Sequence, residues 1–106
     1  MKFETVSLFN TQYKKLAKKN KLISSDLKKF ADNFEILHTN ATQIKSNLYK
    51  IRLANSSKNK GKSAGYRLYY YLKIGDTVYL LTIYDKSEIE MINENILNKF
   101  ISEINS

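Results

Sequence analysis

Cysteine is absent, so the chain forms no disulfide and offers no thiolate to a metal. Proline and tryptophan are also missing, glycine occurs three times and histidine once. No run of roughly 18 apolar residues occurs, so no helix is expected to span a membrane. The opening MKFETVSLFN has neither an apolar core nor a small-residue cleavage site, and it does not read as a signal peptide. These absences suit a cytoplasmic protein. Arginine is scarce while Asn and Ile are abundant, a bias that an AT-rich genome can produce and that also inflates lysine.

One further absence is local. From Ile36 to Gly75 there is no Asp or Glu, yet the stretch carries Lys45, Lys50, Arg52, Lys58, Lys60, Lys62, Arg67 and Lys73. Those eight cations equal the whole net charge of +8. The rest of the chain sums to zero. A compositional bias is not expected to clear acids from one continuous zone. Phosphate neutralisation explains it, so the zone is expected to meet a polyanion.

What is present fits one domain over residues 1–106, with 42% apolar residues for a single core. Residues 3–9 read as a strand. Residues 10–20 read as a helix with Tyr13, Leu16 and Ala17 on one face. Lys14, Lys15, Lys18 and Lys19 form the other, which is read as a solvated face. Ser24 or Ser25 is expected to cap a second helix, with Asp26 in its first turn and an apolar stripe of Leu27, Phe30, Phe34 and Leu37. His38 is expected as a C-terminal cap of that helix rather than as a catalytic base. Residues 47–54 alternate as a half-buried strand, with Tyr49, Ile51 and Leu53 inward and Lys50 and Arg52 outward. Residues 55–65 are expected to be the longest loop. Ser87 and Glu90 are expected to form a capping box opening a C-terminal helix to about Ile104, with Ile89, Ile92, Ile96, Phe100 and Ile104 in its stripe.

Between loop and last helix lies a hairpin, residues 66–84. A two-residue Gly75-Asp76 turn predicts partners whose numbers sum to 151. Leu72–Tyr79, Tyr70–Leu81 and Leu68–Ile83 then form an apolar face. Tyr71–Leu80, Tyr69–Thr82 and Arg67–Tyr84 form the other. Arg67 therefore stands beside Tyr84, with Lys86 just past the strand. If the preceding strand packs alongside, Lys50 and Arg52 join that face. RNA cleavage by its own 2′-hydroxyl needs no protein nucleophile. It needs cations against the phosphorane, a base for the 2′-hydroxyl and an acid for the leaving 5′-oxygen. Arginine can bind the phosphate in bidentate fashion, tyrosine can stack on a base, and lysine can carry a proton. An Arg–Tyr pair in a hairpin is equally an ordinary cation–π surface contact.

The run KIRLANSSKNKGKSAGYRLYYYLKIGDTVYLLTIYDKSE resembles the RelE/ParE toxin superfamily, in particular its HigB-like branch. That branch carries a strand ending near R-x-A and a loop similar to G-R-G-K-S-G-G. An A-R-V-x-Y-Y-Y strand follows, and then x-Y-L-L-x-x-Y-x-K-x-E. The match is close over about residues 48–90 and looser over the rest. The resemblance implies an α+β, RelE-like compact domain: strand, two helices, an antiparallel three-strand sheet and a C-terminal helix. It implies the toxin of a type II toxin–antitoxin pair, an endoribonuclease that cuts mRNA in the ribosomal A site without a metal or other cofactor. Its partners would be the ribosome, mRNA and a cognate antitoxin. By resemblance, Arg67 would meet the transition-state charge, Tyr84 would orient the nucleotide and Lys86 would transfer a proton or bind phosphate. Lys60 and Lys62, with Lys58, match the basic loop positions, and Arg52 matches the preceding strand's basic position. Lys50 and Tyr69 complete the expected RNA-binding face. Lys60 stands where relatives often have arginine, and Ser63-Ala64-Gly65 where they often have Ser-Gly-Gly. Two other readings share these features: a non-enzymatic ParE-type inhibitor of DNA gyrase, and a plain nucleic-acid-binding module.

Overall fold

The computed structural model describes residues 1–58, 65–73, 75–89 and 92–106. Among these, the order is β1 (Lys2–Thr5), α1 (Ser7–Lys19), α2 (Ile23–Asp32), α3 (Phe34–Leu37), β2 (Thr42–Lys45), β3 (Leu48–Leu53), β4 (Tyr66–Lys73), β5 (Thr77–Asp85) and α4 (Leu97–Ile104). Short 3-10 turns cover His38–Asn40 and Glu94–Ile96. The fold is α+β. Its five strands run in the order β1-β5-β4-β3-β2, with β1 parallel to β5 and every other pair antiparallel. Among the described residues, no helix is long and apolar enough to cross a membrane.

Both faces of the sheet are covered. On one, Phe9, Leu16, Ile23, Phe30 and Phe34 of α1–α3 pack on Ile51, Leu53, Tyr66, Leu68, Tyr70, Val78, Leu80 and Ile83. On the other, Leu97, with Phe100, Ile101 and Ile104 of α4, packs on Leu48, Tyr69, Tyr71, Leu81 and Tyr84. This double burial explains why β4 is buried from Tyr66 to Tyr71 without alternation.

Several expectations are corrected. The first strand ends at Thr5 rather than residue 9, because Phe9, Tyr13 and Leu16 at three- and four-residue spacing draw the chain into α1 from Ser7. Ser24 and Ser25 lie inside α2 and cap nothing. The N–H of Leu22, the residue before the helix, donates instead to Ser57 Oγ at 3.1 Å, from the loop after β3. His38 stacks on Phe34 at 5.2 Å and meets Tyr49 edge-on at 4.5 Å. It is the C-cap residue of α3, as expected, its N–H turned back to the Ile36 and Phe34 carbonyls, and its Nδ1 also shares a 2.6 Å hydrogen bond with the Tyr70 hydroxyl, which ties its side chain into an aromatic cluster. β2 adds a strand beyond the expected three. Its sequence TQIK is mostly exposed and carries too little apolar patterning to read.

The final helix begins at Leu97, not Ser87. The Ser87 N–H and hydroxyl both donate to Asp85 Oδ1, at 2.9 and 2.8 Å, closing a turn after β5. Glu90, the other half of the expected capping box, lies outside the described residues. Ile92, Phe100 and Ile104 pack as expected, whereas Ile89 and Ile96 are exposed.

The hairpin register holds near Arg67 and fails near the turn. Tyr66↔Asp85, Arg67↔Tyr84, Leu68↔Ile83 and Tyr69↔Thr82 pair as predicted. A β-bulge after Tyr69 then shifts the ladder, so Tyr70 meets Leu80, Tyr71 meets Tyr79 and Leu72 meets Val78. The extra residue, Leu81, is fully buried in the α4-side core, while Val78 and Leu80 stay in the helix-side core. Lys73 pairs with Thr77 rather than with Val78. Gly75 and Asp76 both take positive φ there, 106° and 74°.

Candidate active site

β2 pairs with β3 only at its start, through Leu48, Tyr49 and Lys50. Beyond that, a groove of about 1070 Å³ opens along β3. Lys50 and Arg52 of β3, Arg67 and Tyr69 of β4, and Tyr84 and Lys86 of β5 line it. Asp26 and Lys29 of α2 line it as well, as does the segment Ile92–Asn95.

Register builds the centre of this groove. Arg52 pairs directly with Arg67, and Arg67 with Tyr84, so the three form one row across β3, β4 and β5. The neighbouring row is Lys50, Tyr69 and Thr82. Arg52 is exposed, whereas Arg67 is only 8% exposed and Tyr84 6%. Burial lowers the Arg67 pKa first and the Arg52 charge lowers it further, while Tyr84 opposes both. Like charges paired across strands are unfavourable, and burying one adds to that cost.

The Tyr69 phenol on this face is held neutral. Tyr69 and Tyr84 stack with ring centroids 6.5 Å apart. The Tyr69 hydroxyl donates to Glu94 Oε2 at 2.7 Å. Burial, then that hydrogen bond, raises the Tyr69 phenol far above its ordinary value. On the helix side, burial likewise raises Tyr66 and Tyr70.

Two devices position the row. Gly65 lies just before β4, where an added Cβ would sit 2.0 Å from the Leu53 carbonyl oxygen at the end of β3. Its own carbonyl accepts from the Lys86 N–H at 3.0 Å. Gly65 therefore joins the ends of β3, β4 and β5 where Arg67 and Lys86 emerge. The loop after β3 is also anchored. Asn55 Nδ2 donates to Asn20 Oδ1 at 2.8 Å, and the Ser56 N–H and hydroxyl donate to Asp26 at 3.0 and 2.5 Å. Asp26, expected to act on the α2 dipole, thus also holds this loop.

Lys58 departs from its expected place. Its ammonium lies 2.5 Å from the carboxylate of Asp85, whose side chain is fully buried, and it donates to Ser87 Oγ at 2.7 Å. It is not among the residues lining the groove. Burial pushes the Asp85 carboxyl up, but Lys58 and the Ser87 N–H and hydroxyl outweigh it, and the net shift is downward. A depressed carboxylate stabilises the fold above its unfolded value, near pH 4, and that contribution is lost as pH falls through the lower folded value. Lys58→Met is expected to cost about 2 kcal/mol in urea unfolding at pH 7, as for a hydrogen bond to a charged group. The variant also flattens the loss of stability on the acid side. Unchanged unfolding at both pH 7 and pH 3 contradicts this anchoring role.

Of the expected site residues, Lys50, Arg52, Arg67, Tyr69, Tyr84 and Lys86 share the groove. Lys60 and Lys62 lie outside the described residues. Glu94, missed by sequence reading, meets Tyr69 from 25 residues away, a contact with no local signal. A comparison with protein-family models finds no match for the chain.

Proposed function

We propose that the protein is the toxin of a type II toxin–antitoxin pair, a RelE-like, HigB-branch endoribonuclease that cuts mRNA in the ribosomal A site. The observation that carries this reading is the row Arg52–Arg67–Tyr84, buried at its centre and edged by Lys50 and Lys86. A surface that only binds nucleic acid has no need to bury one arginine beside another. A reaction whose transition state gains charge on phosphate does, because fixed cations away from water act most strongly there.

In this reading Arg67 and Arg52 take the non-bridging oxygens of the scissile phosphate. Tyr84 orients the nucleotide. Lys86 donates a proton to the leaving 5′-oxygen. Lys50 holds a neighbouring phosphate at the groove's edge. The cognate antitoxin covers the groove in the resting cell, and an acidic segment is its natural complement.

The test is a translating extract with mRNA ends mapped by primer extension. Cuts in phase with codons, lost in Arg67→Ala, support the proposal. Intact mRNA with gyrase trapped on DNA selects the ParE-type reading, and neither effect leaves a binding module. A separate expectation concerns affinity. Lys50→Ala and Arg52→Ala should each reduce the slope of log K against log salt for single-stranded RNA by about 0.7, the value for one phosphate contact. Fluorescence anisotropy across a salt series measures it.

A further inference from the structure

The cations of the groove account for phosphate charge and for a leaving-group acid, but not for the proton on the attacking 2′-hydroxyl. Two carboxylates line the groove among the described residues, Asp26 and Glu94. Asp26 is 6% exposed, lies on α2 and accepts two hydrogen bonds from Ser56. Glu94 stands on the tyrosine face. The Asn93 side chain accepts from the Asn95 N–H at 3.0 Å and fixes the 3-10 turn that carries it. Fully buried Leu97 anchors the next turn. Among the described residues, no ion pair involves Glu94.

We propose that Glu94 is the general base of this site, oriented by the Tyr69 hydroxyl and placed beside the Arg52–Arg67–Tyr84 row. The inference rests on the ribonuclease reading above. The charged and titratable groups that line the groove with Glu94 are Asp26 and Lys29 from α2, Lys50 and Arg52 from β3, Arg67 and Tyr69 from β4, and Tyr84 and Lys86 from β5. Tyr69 lies two residues from Arg67 on β4, on the same face of the sheet, and its hydroxyl donates to one carboxylate oxygen of Glu94. Buried Tyr69 keeps its proton and donates a hydrogen bond to Glu94, so Tyr69 is a positioning residue and not itself the base.

A Glu94 oxygen takes the 2′-hydroxyl proton while the O2′–P bond forms. The P–O5′ bond breaks, and the 5′-oxygen takes a proton from the Lys86 ammonium. The products are a 2′,3′-cyclic phosphate and a 5′-hydroxyl. Glu94 then returns its proton to water, and Lys86 regains one.

Glu94→Gln provides the test, because the amide oxygen still accepts from Tyr69 and the turn is kept. Single-turnover cleavage on ribosomes programmed with a defined mRNA is measured from about pH 5 to 9. The expected result is a fall of about 10²-fold in rate, with unchanged thermal unfolding and unchanged binding to the programmed ribosome. The acidic limb of the pH profile is expected to vanish. Tyr69→Phe removes the hydrogen bond that orients the carboxylate, so it is expected to lower the single-turnover rate while binding to the programmed ribosome and thermal unfolding stay unchanged. Wild-type rate and wild-type profile in Glu94→Gln overturn the inference while leaving the ribonuclease reading intact. A parent protein that cleaves no mRNA overturns both.

Discussion

Arg67→Ala is expected to lower the rate of mRNA cleavage by about 10³-fold, the upper range for removing one preorganised donor to a developing oxyanion. Arg67 is the middle of three paired residues, with Arg52 on one side and Tyr84 on the other. Its burial makes its charge count for more than that of exposed Arg52. Arg67→Lys tests the geometry apart from the charge. An ammonium is a point charge that cannot grip two phosphate oxygens at once, so most of the loss should remain. Removing a buried side chain can also unsettle the sheet. Thermal unfolding of both variants is therefore read beside the rate. A lysine variant that folds normally and cleaves at the wild-type rate contradicts the assigned role.

The second large effect is expected at Gly65→Ala. A methyl group there meets backbone rather than a pliable side chain, with the Leu53 carbonyl oxygen 2.0 Å away and the Asn55 N–H nitrogen at 3.0 Å. The ends of β3 and β4 must part to admit it. The cost is expected to be about 3 kcal/mol, the upper part of the usual range for overpacking. Arg67 lies two residues on, and Lys86 bonds to the Gly65 carbonyl. Cleavage is therefore expected to fall even where the variant remains folded. Urea unfolding and cleavage measured on the same preparation check both parts, and a variant with unchanged stability refutes the close approach.

The candidate site was partly legible because one regularity reached it intact. Alternation along Arg67–Tyr69 and Thr82–Tyr84 specifies the register beside the arginine, and the structure keeps those pairs. The same alternation misled toward the turn. Leu80 and Leu81 are both apolar, and only the two packed cores decide which of them the bulge sets apart. Placing Lys50 and Arg52 beside the hairpin needed the conditional step that β3 packs on β4, and β3 does so.

What failed to show in the sequence depends on long-range burial. Lys58 looks like any loop lysine until Asp85 is found buried 27 residues later. Ser87 looks like a helix cap, yet it serves Asp85. β2 has one inward residue of note, Ile44, packed on the α4-side core. Its turn depends on Asn47 in the left-handed region at φ 66°. Glu94 sits in a polar run, NENI, with no period to mark it. For Lys58, Ile44 and Glu94 the partner lies on another element, and local pattern carries no trace of it.

The central claim is that Arg67, Tyr84 and Lys86 cut RNA rather than merely hold it. End chemistry on ribosome-bound mRNA tests this most directly. Purified protein is added to ribosomes stalled with a known codon in the A site, and the new 5′ ends are probed for phosphorylation by a kinase that accepts only 5′-hydroxyls. The account predicts new ends within that codon that carry a 5′-hydroxyl, opposite a 2′,3′-cyclic phosphate, and that are absent with Arg67→Ala. Uncut mRNA, or cuts that carry a 5′-phosphate, would contradict it.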